Sequence, residues 1–153
     1  MNIVTKPFDA LTLEELYAIL RLRQEVFILE QNCFYLDQDG YDQMAEHVML
    51  YEGAHLAAYA RVFKKGIKYD AASIGRVITS AQYRGKGLGI PLMEASIKTL
   101  LLKDEDHIKL SSQAYAEGFY EKVGFKRTDK VPYLEDDIPH VEMEYKGAWH
   151  RDQ

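Results

Sequence analysis

One cysteine, Cys33, stands among the 153 residues of the chain. A single thiol rules out an internal disulfide and suits a reducing compartment, so a cytoplasmic location is expected. No apolar run approaches the roughly 20 residues that span a bilayer, so no membrane association is expected. The N-terminal stretch Met1 to Phe8 lacks the apolar core of a signal peptide. Basic excess is also absent. The net charge of −5 argues against a general nucleic-acid-binding surface, although an acidic balance suits a cationic or amine substrate. The five histidines have no close metal-ligand spacing, so no metal is expected. No repeat, linker or low-complexity tract divides the chain. The length fits one domain, expected over residues 1–146, with 147–153 as a flexible tail.

The most specific segment runs from Ile74 to Gly89, reading Ile-Gly-Arg-Val-Ile-Thr-Ser-Ala-Gln-Tyr-Arg-Gly-Lys-Gly-Leu-Gly. It predicts a strand, a basic glycine loop and a helix. At Gly85, Gly87 and Gly89 the missing Cβ lets backbone N–H groups turn inward around an anion. The following helix adds the positive end of its dipole, and Arg84 and Lys86 add full charges. The chemistry suits a diphosphate. A P-loop is excluded because Lys86 is followed by Gly87 and Leu88, not by the hydroxyl residue that would hold magnesium. A dinucleotide fingerprint is excluded because the third glycine comes too early, with Ile90 in its place.

The remaining elements follow from pattern. Thr12-Leu-Glu-Glu15 is a capping box that starts a helix at about Leu13. Strands are expected at residues 2–6, 48–51, 56–63, 73–79, 108–111, 125–128 and 141–145, the second and third joined as a hairpin at Glu52–His55. Helices are expected at 90–101 and 116–123, the latter ended at Gly124. Residues 32–42 read as a polar loop. Its acids Asp37, Asp39 and Asp42 do not have calcium-loop spacing and read as a solvated face. Arg23 reads equally as a buried, paired arginine or as an acceptor contact. Cys33 reads as an inert, partly buried thiol. Helices and strands alternate while hairpins interrupt them, which predicts an α/β fold with a central mixed sheet flanked by helices.

The loop Arg84-Gly-Lys-Gly-Leu-Gly89 and this element order resemble the GCN5-related N-acetyltransferases (GNAT). The segment Gln113-Ala-Tyr-Ala-Glu-Gly-Phe-Tyr-Glu-Lys-Val-Gly-Phe125 is similar to a second signature of that family. Two further stretches narrow the likeness to its ElaA-like branch. They are Leu20-Arg-Leu-Arg-Gln-Glu-Val-Phe27, continuing through Glu30 to His47, and Glu135-Asp-Asp-Ile-Pro-His-Val-Glu-Met143. The resemblance implies an acetyl-coenzyme A N-acyltransferase fold and transfer of an acetyl group to a primary amine by direct attack in a ternary complex. It implies cofactor contacts from Arg84, Gly85, Lys86, Gly87, Leu88 and Gly89 to the diphosphate. It implies backbone pairing of Val77, Ile78 and Thr79 with the pantetheine arm, and a contact from Gln113, where the family has asparagine. Tyr120 takes the place of the tyrosine that protonates the leaving thiolate.

Many relatives carry a basic carboxylate on the central strands. Ser73–Thr79 and Ile108–Ser111 contain none, so the base is expected in Glu30, His47, His140 or Glu142, or in an ordered water. A small-molecule or peptide amine is the expected partner. Oligomeric state stays open, with a homodimer among the options. Two rival readings remain at this point: a non-catalytic acyl-coenzyme A sensor or partner-binding module, and an acyl transfer resembling acyl-homoserine lactone synthesis.

Overall fold

The computed structural model describes residues 1–151. Eight strands form one sheet: β1 (Asn2–Pro7), β2 (Glu46–Glu52), β3 (His55–Phe63), β4 (Ala72–Thr79), β5 (His107–Gln113), β6 (Lys126–Arg127), β7 (Tyr133–Glu135) and β8 (Ile138–Lys146). Their order is β1-β2-β3-β4-β5-β8-β6, with β7 added to β8. All neighbours run antiparallel except β4 and β5, which are parallel. The sheet is mixed, as expected. The α-helices are α1 (Leu13–Arg23), α2 (Gly89–Leu101) and α3 (Glu117–Lys122). None of the helices among the described residues is long and apolar enough to cross a membrane.

Local chemistry accounts for these boundaries. The Thr12 hydroxyl accepts from the Glu15 N–H at 3.0 Å, and the Glu15 carboxylate accepts from the Thr12 N–H at 2.8 Å, closing the capping box that starts α1. Past Arg23 the helix widens into a π-helical segment, Gln24–Glu30. Helix α3 ends in a Schellman motif. Gly124, at φ 104°, donates to the Glu121 carbonyl, and Phe125 donates to that of Tyr120. Strand β7 is absent from the sequence expectation. It exists because Asp136 and Asp137, at φ 52° and 62°, make a two-residue turn into β8.

The sheet is covered on both faces. Val48 and Leu50 pack with α2 through Leu92, Met93, Ile97 and Leu100. The intervening Met49, with Tyr59 and Ile78, packs under Ile19, Leu22 and Val26 of α1 and its extension. This is the side-to-side alternation of a strand buried between two layers.

Beyond residue 146 the expected loose tail is packed. Gly147–His150 form one 3₁₀ turn. The Gly147 N–H donates to the Asp106 carbonyl at 2.7 Å, and the His150 ring stacks on Tyr145 at 4.6 Å. Asp152 and Gln153 lie outside the described residues.

The loop at residues 32–42 departs most from expectation. Asp37 and Asp42 are not solvated but bury themselves around two arginines. Arg23, fully buried, donates through Nε to Asp37 at 2.8 Å and through Nη1 to Asp42 at 2.6 Å. Arg61 spans Asp42, at 2.8 Å, and Asp39. Arg23 is therefore a structural arginine. Burial pushes the Asp39 and Asp42 carboxyls up, but Arg61 beside the first and Arg23 beside the second outweigh it and leave both below their usual range.

Two outcomes follow from this network. Removing one partner of a buried pair leaves a charge uncompensated, so Arg23→Leu should cost about 3–5 kcal/mol in urea unfolding. Because the folded carboxyls titrate below the unfolded value of about 3.9, their contribution is complete above that pH and is lost progressively as pH falls from there toward the lower folded values. Stability that stays flat between pH 6 and pH 3, or an Arg23→Leu variant as stable as the parent, would contradict the network's role.

Candidate active site

Strands β4 and β5 pair only at Ala72 with Ile108 and Ser73 with Lys109. Beyond that they part, and a cleft of about 870 Å³ opens between them. Its walls include Ile74–Thr79 of β4, Leu110, Ser111 and Gln113 of β5, and Ala116 and Tyr120 of the α3 region. A bulge helps to turn β4 away. Tyr59 faces Ile78 and Arg61 faces Gly75, so Ala60 opposes both Arg76 and Val77. Arg76 adopts φ 51°, a left-handed conformation uncommon for any residue but glycine, and is anchored by Asp37, at 2.9 Å from its Nε. On the side away from β3, Val77, Ile78 and Thr79 therefore have no strand partner and face the cleft.

The glycine loop sits at the end of β4, past a 3₁₀ turn at Ala81–Tyr83. Gly85 and Gly87 take φ 79° and 74°, and nothing lies within 4 Å of where their Cβ would stand. Those two positions need glycine for the backbone conformation. Gly89 differs. Its φ is ordinary, but a Cβ there would meet the Phe119 ring at 2.9 Å. Glycine there lets the start of α2 pack on α3. No side chain caps α2 at Leu88, so the positive end of the helix is left to the loop and solvent. Gly85–Gly89 lie outside the walls of the cleft itself, whereas Arg84 joins them.

Arg84 and Glu30 meet each other. The guanidinium makes contacts of 2.5 and 3.0 Å to the two Glu30 oxygens, and its Nε donates to the Thr79 carbonyl at 3.1 Å. Both were expected in the site, but on different tasks. The pair instead clamps the π-helical segment to the end of β4. Lys86 is exposed and lies over the Tyr83 ring at 5.1 Å. Gln113 reaches Gln31 at 3.4 Å across the cleft.

Tyr120 lines the cleft and is 9% exposed. Its ring is wedged edge-on between Phe119 and Phe125. Its hydroxyl has no hydrogen-bond partner among the described residues. Burial pushes its pKa well above the ordinary phenol range, so the proton stays on at neutral pH.

Of the candidate bases, His47 is not in the cleft. It is fully buried beneath the 37–42 loop. Its Nε2 donates to the Asp42 carbonyl at 2.9 Å and its Nδ1 takes the Tyr59 hydroxyl at 2.6 Å. No lone pair remains free, and burial lowers its tendency to take a second proton. Glu142 is also withdrawn, held by the Thr128 hydroxyl at 2.9 Å. His140 does reach the cleft. Its Nδ1 donates to the Ile138 carbonyl at 2.7 Å, which leaves the Nε2 lone pair, 3.3 Å from Glu135. Its ring stacks on Tyr133, whose hydroxyl is 2.5 Å from Ser111.

Sequence reasoning did not single out Tyr69, Ser111, Tyr133, Glu135 or Asp136. A signal existed for the last three. Two aspartates between short apolar-polar alternations mark a hairpin, and that hairpin carries Tyr133, Glu135 and Asp136 to the site. Ser111 gave none, because only the parting of β4 from β5 exposes it.

Comparison with known proteins agrees with this geometry. Residues 22–146 match the acetyltransferase (GNAT) domain. The chain is 39% identical to protein ElaA of Escherichia coli over 136 residues, which covers 87% of this chain and 88% of that one. Two crystal structures superpose closely. An acyl-CoA N-acyltransferase from Pseudomonas aeruginosa has a TM-score of 0.88 at 38% identity, over 95% of this chain and 99% of its own. Escherichia coli ElaA has a TM-score of 0.87 at 35% identity, over 95% of this chain and 100% of its own. With a parted parallel pair, an uncapped glycine-loop helix and these relatives along nearly its whole length, the chain belongs to the ElaA-like branch of the GNAT acyltransferase family.

Proposed function

We propose that this protein transfers an acetyl group from acetyl-coenzyme A to a primary amine by direct attack within a ternary complex. The observation that carries the reading is the unpartnered edge of Val77–Thr79. It runs into a glycine loop at an uncapped helix start, and the same cleft is lined by Tyr120, whose hydroxyl has no hydrogen-bond partner among the described residues. These residues fit acyl-coenzyme A. The open backbone of β4 suits an amide-bearing arm laid beside it as an added strand. The N–H groups around Gly85 and Gly87 suit a diphosphate.

Acetyl-coenzyme A, when bound, supplies a thioester carbonyl open to attack. The chain's own residues then have three tasks. His140 accepts the amine proton at Nε2, and Glu135 beside it steadies the imidazolium that results. A backbone N–H on the open edge of β4 polarises the carbonyl oxygen. As the carbon–nitrogen bond forms and the carbon–sulfur bond breaks, Tyr120 donates its proton to the departing sulfur. A buried phenol suits that role because it enters the step protonated. Arg84 stays paired to Glu30 or turns to the diphosphate. In this structure Glu30 is spent on its pair with Arg84, and it is not assigned as the base.

Coenzyme A binding and turnover test separate parts of this scheme. Gly87→Val closes the left-handed conformation and should weaken coenzyme A binding at least tenfold in calorimetric titration of folded protein. An unchanged affinity removes the loop from the cofactor site.

Tyr120→Phe keeps the ring and loses the proton. Turnover should fall by about 10²–10⁴-fold while coenzyme A affinity holds. Parent-like turnover, with chemistry shown to be rate-limiting, takes Tyr120 out of the mechanism.

His140→Asn should lower turnover comparably and abolish the acidic limb of the pH–rate profile of kcat/KM. His47→Asn should act mainly on stability. A variant of His140 that keeps the parent profile points to a water as the base.

A further inference from the structure

The ion pairing of the cleft is uneven, and the unevenness has a place. Four cationic side chains face it, and each is already matched. Arg61 is held by Asp39 and Asp42, Lys68 by Asp39, Arg76 by Asp37, and Arg84 by Glu30. The carboxylates are not all matched. Glu135 meets only His140, at 3.3 Å, and Asp136 makes no ion pair among the described residues. Both stand on the turn between β7 and β8, at one end of the cleft.

Two buried polar groups show where a ligand must lie relative to that turn. Tyr120 lines the cleft, nine-tenths buried, and its hydroxyl has no hydrogen-bond partner among the described residues. His140, 7% exposed, presents Nε2 on the same side as Glu135. The reacting amine belongs between these two. Glu135 then lies beside the reacting nitrogen, and Asp136, the next residue outward on the turn, is left without a task in the chemistry. The rings of Tyr35 and Tyr69 line the same cleft, with Asp136 near enough to the first and Glu135 to the second for their charges to act on the hydroxyls. An aromatic face favours both a methylene chain and a cation beside it.

Resting on the acetyl-transfer reading, we propose that the acceptor is an alkyl diamine or polyamine. One terminal amine reacts beside His140, and a second ammonium is held by Asp136. The alkyl chain between them lies along the tyrosine-lined wall. A monoamine fills only the inner position. A peptide N-terminus brings a backbone carbonyl where the structure offers a carboxylate.

The test compares kcat/KM, by release of coenzyme A thiol, for 1,4-diaminobutane, 1-aminobutane and a short peptide with a free N-terminus. The diamine should exceed the monoamine by at least tenfold, and the advantage should shrink as salt screens the outer charge. Asp136→Asn keeps a residue that tolerates a left-handed backbone, and it should cut the diamine-to-monoamine ratio at least fivefold. Equal use of diamine and monoamine, a faster peptide, or a ratio that survives Asp136→Asn each overturns the diamine assignment and leaves acetyl transfer standing. If no amine releases thiol, the acetyl-transfer reading fails. Calorimetric titration of 1,4-diaminobutane into protein saturated with coenzyme A then decides the inference alone, and absence of binding overturns it.

Discussion

The buried carboxylates of the 37–42 loop are the constraint on which the rest of the site depends. Asp37 is shared by Arg23 at the end of α1 and Arg76 at the bulge of β4. Asp42 is shared by Arg23 and Arg61 of β3. One loop thus ties a helix, a central strand and a strained turn of backbone together. Charges this deep are costly to bury and cost more when a partner is lost, so the arrangement tolerates little slack. Arg76 at φ 51° is paid for by these contacts, and the bulge it occupies turns β4 off the line of β5.

The cleft follows from that departure. A parallel pair left intact would have used its hydrogen-bonding groups on the neighbouring strand. Parted after two residues, β4 keeps one edge unpaired, and β5 exposes Ser111 and Gln113 to the same space. The opening lies toward the carboxyl ends of the parallel strands β4 and β5, which is where open α/β sheets place their ligands. The two sides of the cleft then differ in chemistry. The side toward α2 is backbone and helix dipole, suited to phosphate. The side toward the β7–β8 turn is imidazole, phenol and carboxylate, suited to an amine.

Glycines and histidines show how one residue type divides its work. Gly85 and Gly87 are required by the backbone, whereas Gly89 is required by Phe119. His47 and His140 looked alike as bases. One spends both nitrogens on Tyr59 and Asp42 inside the protein, and the other spends one nitrogen on Ile138 and keeps the second for the cleft.

Local signals in the sequence were enough for the main elements and their order, β7 and the π-helical segment excepted. A capping box, a terminal glycine, alternation in β8 and a strand–loop–helix run each act over a few residues, and each appears where the pattern put it. The same signals marked the glycine loop and Tyr120, because those lie in contiguous motifs. They could not separate His47 from His140, see that Arg84 and Glu30 are partners 54 residues apart, or find Ser111 and Asp136 in one cleft. Burial, ion pairing and the parting of two strands depend on groups distant in the chain. Only the folded arrangement brings those groups within range of a hydrogen bond, and so only the tertiary structure decided which polar residues support the fold and which are free to do chemistry.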